Sequence, residues 1–235
     1  MKGKYIFVIT GIVLICALAI AATLDRTEIL PAFGGETGRV TVVIDPGHGG
    51  EDSGAVGICG TYEKTINLAV SQKLSDLLGL LGVNTRMTRS TDVSIHTEGS
   101  EGTREKKVTD IKNRVKLVNI TPNATLISIH ENYFPQESCS GAQIFYSGGN
   151  KTSKQLAERV QNAVIAGLDT KNHRVAKQGD AHIYLLKNVT CPAILVECGF
   201  LSNKREEKKL ADESYQKKIA ASIAAGFLDY QTRKE

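Results

Sequence analysis

Tryptophan is absent from this 235-residue chain, methionine occurs twice, proline five times, and aromatic residues make up only 6%. So few rings leave no platform for stacking bases, and no Lys/Arg stripe is interleaved with the aromatics present. Charge of one sign is scarce too. Lys+Arg number 29 against 25 Asp+Glu, a formal +4 over the whole length. That excess tolerates anionic polymers but falls far short of a nucleic-acid footprint, so nucleic acid is excluded as a partner. Repeats and low-complexity tracts are missing as well. A composition of 41% hydrophobic and 23% charged residues excludes disordered, collagen-like and polytopic membrane chains. What remains is one domain with a sizeable core and a short appendage.

Five cysteines are present but no C-x-x-C, which excludes zinc-ribbon and thioredoxin-like readings. Cys16 falls in the apolar N-terminal run. Cys59, Cys139, Cys191 and Cys198 allow three disulfide pairings, and reduced thiols fit the sequence as well.

The appendage is the N-terminus. Lys2 and Lys4 precede Tyr5 to Leu24, a run without a charge and long enough, at about twenty residues, to span a bilayer. The leading lysines keep the N-terminus inside and place the rest of the chain outside the cytoplasm. Residues 1–25 read either as a membrane anchor or as a cleavable signal peptide, since Ala19-Ile20-Ala21 offers an A-x-A-like site. Residues 26–38, with Pro31 and three glycines, form a linker, and 39–231 a single domain.

Within that domain strands and helices alternate. Arg39–Ile44 is β-branched and apolar and ends in a Gly-rich turn, as a buried strand should. Ile66, Val70, Leu74, Leu77 and Leu81 fall at helical spacing from Glu63, and Gly82 stops the helix. Further strands are expected at 83–88, 125–129, 141–146, 182–186 and 193–196. Helices are expected at 110–119, 153–168, 204–211 and 214–230, with a long polar loop over 89–107. The pattern is that of an α/β domain with a mixed, mostly parallel sheet flanked by helices.

In open α/β sheets, chemistry gathers beyond the carboxyl ends of the strands. The first strand delivers Asp45-Pro-Gly-His48 there, a central one His130-Glu131-Asn132, and a late one Glu197-Cys198-Gly199. Glu63 opens the first helix. Two imidazoles and one carboxylate are the ligand set of a catalytic zinc, and a second carboxylate would be the base that deprotonates water. Spacing alone leaves open which of Glu63 and Glu197 takes which role.

Five blocks in order carry a resemblance: VVIDPGHGGEDSGAVGICGTYEK at 42–64, TRMTRSTD at 85–92, RVKLVN at 114–119, LISIHEN at 126–132 and AILVECGFLSN at 193–203. They resemble the zinc-dependent N-acetylmuramoyl-L-alanine amidases, over about residues 40–230. The resemblance implies Zn²⁺ held by His48, Glu63 and His130, with Glu197 as the catalytic base. It implies hydrolysis of the amide between the lactyl group of N-acetylmuramic acid and the L-alanine of the stem peptide in peptidoglycan. The short layout, without wall-binding repeats, is similar to that of spore-cortex members. Self-inhibited members carry a helical insertion, whereas here only Ser147–Asn150 follow Tyr146 before the next helix is expected. Lacking a wall-binding module, the chain is expected to be localised by its N-terminal segment at the membrane or by an accessory activator.

Duller readings stand beside these. Asp45 is expected to orient a ligand histidine or shape a turn, Arg86 to bind a substrate carboxylate or form a strand-end ion pair, and Asn132 to bind substrate or support a ligand. Glu131, where the family has a small or apolar residue, is expected to point away from His130. A zinc carboxypeptidase and an inactive peptidoglycan-binding protein are the competing functional classes.

Overall fold

Strand alternation sorts the apolar residues of the sheet into two layers. Val42, Ile44, Ile127, Ile129, Ile194 and Val196 belong to one fully buried cluster, while Val43, Leu126, Ala193 and Leu195 belong to another. A strand buried on both faces calls for helices above and below, which the computed structural model provides over residues 40–179 and 182–233. These residues lie within one compact unit, 37–235.

The order is β1 (Thr41–Pro46), α1 (Glu63–Leu80), β2 (Asn84–Met87), α2 (Gly102–Asn119), β3 (Ala124–Asn132), β4 (Gln143–Tyr146), α3 (Lys151–Leu168), β5 (Lys177–Gln178), α4 (Tyr184–Asn188), β6 (Ala193–Phe200), α5 (Lys204–Leu210) and α6 (Glu213–Thr232). The six strands run in the order β2-β1-β3-β6-β4-β5. All pairs are parallel except β4 with β6. Helices α1, α3 and α6 bury Leu74, Leu156, Val160, Ile223 and Phe227 against the first layer. Helices α2 and α4 bury Val118, Leu185 and Leu186 against the second. Truncating any of these fully buried side chains to alanine costs about 2–5 kcal/mol.

Local chemistry fixes the helix ends. Gly82 at φ 78 stops α1, with Val83 N–H donating to the Leu78 carbonyl at 2.9 Å. Asn150, Asn203 and Asp212 accept backbone N–H groups as N-caps of α3, α5 and α6. Four residues, Ser147–Asn150, join β4 to α3, so no helical insertion stands there.

Three expectations need correction. Residues 182–186 do not form a strand: Tyr184–Asn188 is a short helix lying on the sheet, and the edge position is held by Lys177–Gln178. Helix α2 starts at Gly102, eight residues before the expected Asp110, so the loop over 89–107 is shorter than its polarity implied. Its first turns are exposed and bury no apolar stripe that the sequence could reveal. Arg86 lies on β2 with its guanidinium donating to Thr121 Oγ1 at 3.1 Å, at the amino end of β3 and away from the carboxyl-end cluster. The apolar run at 1–25 and the linker lie outside the described residues. Among the described residues no helix is long and apolar enough to cross a membrane.

Candidate metal and catalytic site

His130 and Glu197 sit directly opposite each other on the parallel neighbours β3 and β6. Beyond them the register shifts by one between His130 and Asn132, a bulge of the kind that re-aims side chains at strand ends. His48 arrives from the turn after β1 at φ 60, in a run continued by Gly49 at φ 134 and Gly50 at φ 59. Glu63 is the first residue of α1 and is buried. Four side chains distant in sequence thus meet at one end of the sheet.

The donor atoms of His48, Glu63 and His130 all lie within 4.8 Å of one another. His48 Nε2 is 3.2 Å from Glu63 Oε2, and His130 Nδ1 is 2.9 Å from Glu63 Oε1. A tetrahedral site with bonds of about 2.1 Å has edges of about 3.4 Å, so the two contacts to Glu63 lie near that spacing and the cluster could hold a cation. His48 Nδ1 meets Asp52 Oδ2 at 2.8 Å, which leaves Nε2 facing inward. A carboxylate holding the outer nitrogen is the usual companion of a ligand histidine. The two imidazole rings stand edge to face at 5.1 Å.

Glu63 is anchored from several sides. Its Oε2 accepts from Ala55 N–H at 2.8 Å, and its Oε1 from Glu131 N–H at 3.2 Å and Asn67 Nδ2 at 3.3 Å. Burial alone would raise this carboxyl, but hydrogen bonds and charge from His130 and His48 hold it far below the ordinary range. His48 is the mirror case: burial opposes its charge, yet Asp52 and Glu63 push it up to about 9. Space is reserved by glycines. A Cβ on Gly47 would collide with the His130 ring, and one on Gly54 with Glu63 and His48.

Glu197 is different in kind. Its Oε2 is buried and has no hydrogen-bond partner. Burial raises its carboxyl to about 7, with the neighbouring His130 pulling down and Glu63 pushing up. A carboxyl that titrates near neutrality is fitted to exchange protons. Glu131 is buried at 4% exposure, so it offers nothing to a partner. Burial, then the charges of Glu63 and Glu197, keep it well above the ordinary carboxylate range.

Asp45 is buried and does not touch a histidine. It accepts from Arg114 Nη1 at 2.7 Å, Thr88 Oγ1 at 2.6 Å and Ser128 Oγ at 2.7 Å. Asn132 lies on the rim, where its carbonyl accepts from Leu201 N–H at 2.8 Å. Four participants escape a reading of the sequence: Asp52, Asn67 and the buried pair Arg89 and Arg114. Asp52 carried a signal, four residues after His48 in a Gly-rich turn. The others act through backbone or amide contacts that composition does not mark. A cavity of about 320 Å³ opens beside His48, lined by Asp52, Asp92, His96, Lys106 and Lys107 among others. Tyr62 and Tyr133, next to Glu63 and Asn132 in the chain, are half exposed.

Residues 42–229 match the family described as N-acetylmuramoyl-L-alanine amidase. The chain is 40% identical over 193 residues to the germination-specific N-acetylmuramoyl-L-alanine amidase of Bacillus subtilis, covering 82% of this chain and 80% of that protein. Its fold is similar to that of the CwlD amidase of Clostridioides difficile, solved in complex with the GerS lipoprotein. There the identity is 40% and the TM-score 0.80, over 83% of this chain and 99% of the other. It is also similar to the amidase AmiC2 of Nostoc punctiforme, with 34% identity and a TM-score of 0.70, over 83% and 99% of the two chains.

Proposed function

This chain belongs to the N-acetylmuramoyl-L-alanine amidase family, and from that footing we propose that it hydrolyses the lactyl–L-alanine amide of peptidoglycan with Zn²⁺ held by His48, Glu63 and His130. The observation that carries the reading is the division of labour between two glutamates. Glu63 is bonded into the histidine cluster, whereas Glu197, directly across from His130, keeps a buried oxygen without a partner. Zinc bound there would supply Lewis acidity, polarising the scissile carbonyl and acidifying water.

The chain's own residues do the rest. Glu197, poised near neutrality, takes the proton from the attacking water and returns it to the amine of L-alanine as that group departs. No serine or cysteine nucleophile is needed. Asp52 keeps His48 turned with Nε2 inward, and the Ala55 and Glu131 amides keep Glu63 from rotating away.

The biological setting follows from the relatives. A germination-specific amidase at 40% identity supports a role in the spore cortex, and residues 1–25 would export the chain and either anchor it or be cleaved. The complex of the similar amidase with a lipoprotein supports an accessory partner here as well.

Digestion of intact peptidoglycan, followed by mass spectrometry, tests the reading. Free stem peptides beginning with L-alanine and glycan bearing bare lactyl carboxylates are expected, lost on chelation and restored by zinc. Shortened stem peptides still attached to glycan would replace it with a carboxypeptidase.

A further inference from the structure

Two buried arginines hold the backbone that carries the candidate ligands. Arg114 on α2 is 2% exposed and Arg89, after β2, is 3% exposed. Arg114 donates from Nη1 to the Pro46 carbonyl and from Nη2 to the His48 carbonyl, both at 2.7 Å. Arg89 donates from Nε to the Pro46 carbonyl at 3.0 Å and from Nη2 to the Gly47 carbonyl at 2.8 Å. Three successive carbonyls, 46, 47 and 48, therefore end on two guanidiniums. The same Arg89 Nη2 reaches the Lys64 carbonyl at 3.0 Å, one residue past Glu63. One planar group thus ties the turn of His48 to the helix of Glu63.

We propose that Arg89 and Arg114 are positioning residues, a guanidinium clamp that presets the distance between His48 and Glu63 for the metal. The proposal rests on the reading that His48, Glu63 and His130 bind a cation. Both arginines reach the turn through its main-chain oxygens.

The chemistry explains why arginine stands at both positions. The chain leaves β1 at Pro46 and passes through three residues of positive φ, so its carbonyls have left the ladder and need donors. A guanidinium presents five N–H groups in a fixed plane and can serve several carbonyls at once; an ammonium cannot hold that geometry. Burying a cation is costly, and for Arg114 the carboxylates of Asp45 at 2.7 Å and Asp110 at 2.5 Å offset it. An apolar filler at Arg114 would remove that cost but take from the His48 carbonyl its guanidinium donor, whereas the Gly47 carbonyl also accepts from Asn67 Nδ2 at 3.2 Å.

The test compares the full chain with Arg89→Lys and Arg114→Lys, and with Arg86→Lys, whose partner Thr121 lies at the far end of the sheet. Zinc affinity is measured by competition with a chromophoric chelator, and the visible spectrum of the cobalt(II) form reports ligand geometry. Near-ultraviolet circular dichroism of the metal-free proteins checks the fold. Expected is zinc affinity about 10–100-fold weaker in Arg89→Lys and Arg114→Lys, with an altered cobalt spectrum and a native metal-free fold. Arg86→Lys should change neither. Affinity within twofold of wild type and an unchanged spectrum in both variants would overturn the clamp. Loss of the metal-free fold in both would also overturn it, making the arginines general framework. A wild-type chain that binds neither zinc nor cobalt would instead fail the metal reading itself and take the clamp with it.

Discussion

The site is assembled in two ways. His130 and Glu197 stand on adjacent strands in the middle of the sheet, where the β3–β6 ladder sets their spacing. His48 and Glu63 stand on a left-handed turn and a helix start outside the six strands, where a few local backbone bonds, such as Glu63 N–H to the Ala55 carbonyl at 3.0 Å, are supplemented by side-chain contacts. The strand-borne pair is positioned by the same backbone bonds that build the core. The other pair depends on Asp52, Ala55 N–H, Arg89 and Arg114, each contributing a specific contact. Position inherited from the fold is robust, whereas position made by side chains can be undone one residue at a time.

The sharpest break should come on the strand side. Glu197→Gln keeps the shape but removes the base, so turnover should fall about 10²–10⁴-fold while zinc affinity stays near wild type; steady-state kinetics and metal titration read both. On the turn side, Asp52→Asn should weaken zinc binding about 10–100-fold by loosening His48, as measured by chelator competition. If Asp52→Asn binds zinc as tightly as wild type, the turn needs no side-chain support and the contrast fails.

Acid sharpens the comparison through Asp45, whose carboxyl is held at about 2 against an ordinary 3.8. Burial works the other way, and Arg114 with the Thr88 and Ser128 hydroxyls outweighs it. The folded value lies below the unfolded one, so this stabilisation is complete above about pH 4 and drains away as the pH falls from 3.8 through 2. Denaturant unfolding of the metal-free chain should therefore show a shallower loss between pH 4 and 2 in Asp45→Asn than in wild type. The smallest effect is expected at Arg86. Arg86→Ala should leave turnover unchanged and shift stability by only about 0.5 kcal/mol, since its contact lies at the far end of the sheet.

The same contrast explains what could be read beforehand. Strand β3 and its His130 were legible because four of the five residues Thr125–Ile129 are β-branched or apolar, and helix α1 because Ile66, Val70 and Leu74 keep helical spacing. The four residues of the candidate site stand out in the sequence as His and Glu at strand and helix ends, although spacing could not separate the two glutamates. The roles of Arg89 and Arg114 stayed hidden, since the contacts that tie them to the His48 turn are to carbonyls, which every residue has. The run His182–Leu186 misled because its four hydrophobic residues, Ile183–Leu186, serve a helix lying on a sheet as well as a strand within it; here Leu185 and Leu186 pack against the sheet's second face.

The central claim is that Glu63 binds the metal and Glu197 handles the proton. Equilibrium zinc binding by His48→Ala, Glu63→Ala, His130→Ala and Glu197→Ala, each scored also for release of stem peptides, tests it most directly. The first three should lose zinc and activity together, and Glu197→Ala should lose activity while holding zinc. A Glu197→Ala chain that loses zinc, beside a Glu63→Ala chain that keeps it, would contradict the account.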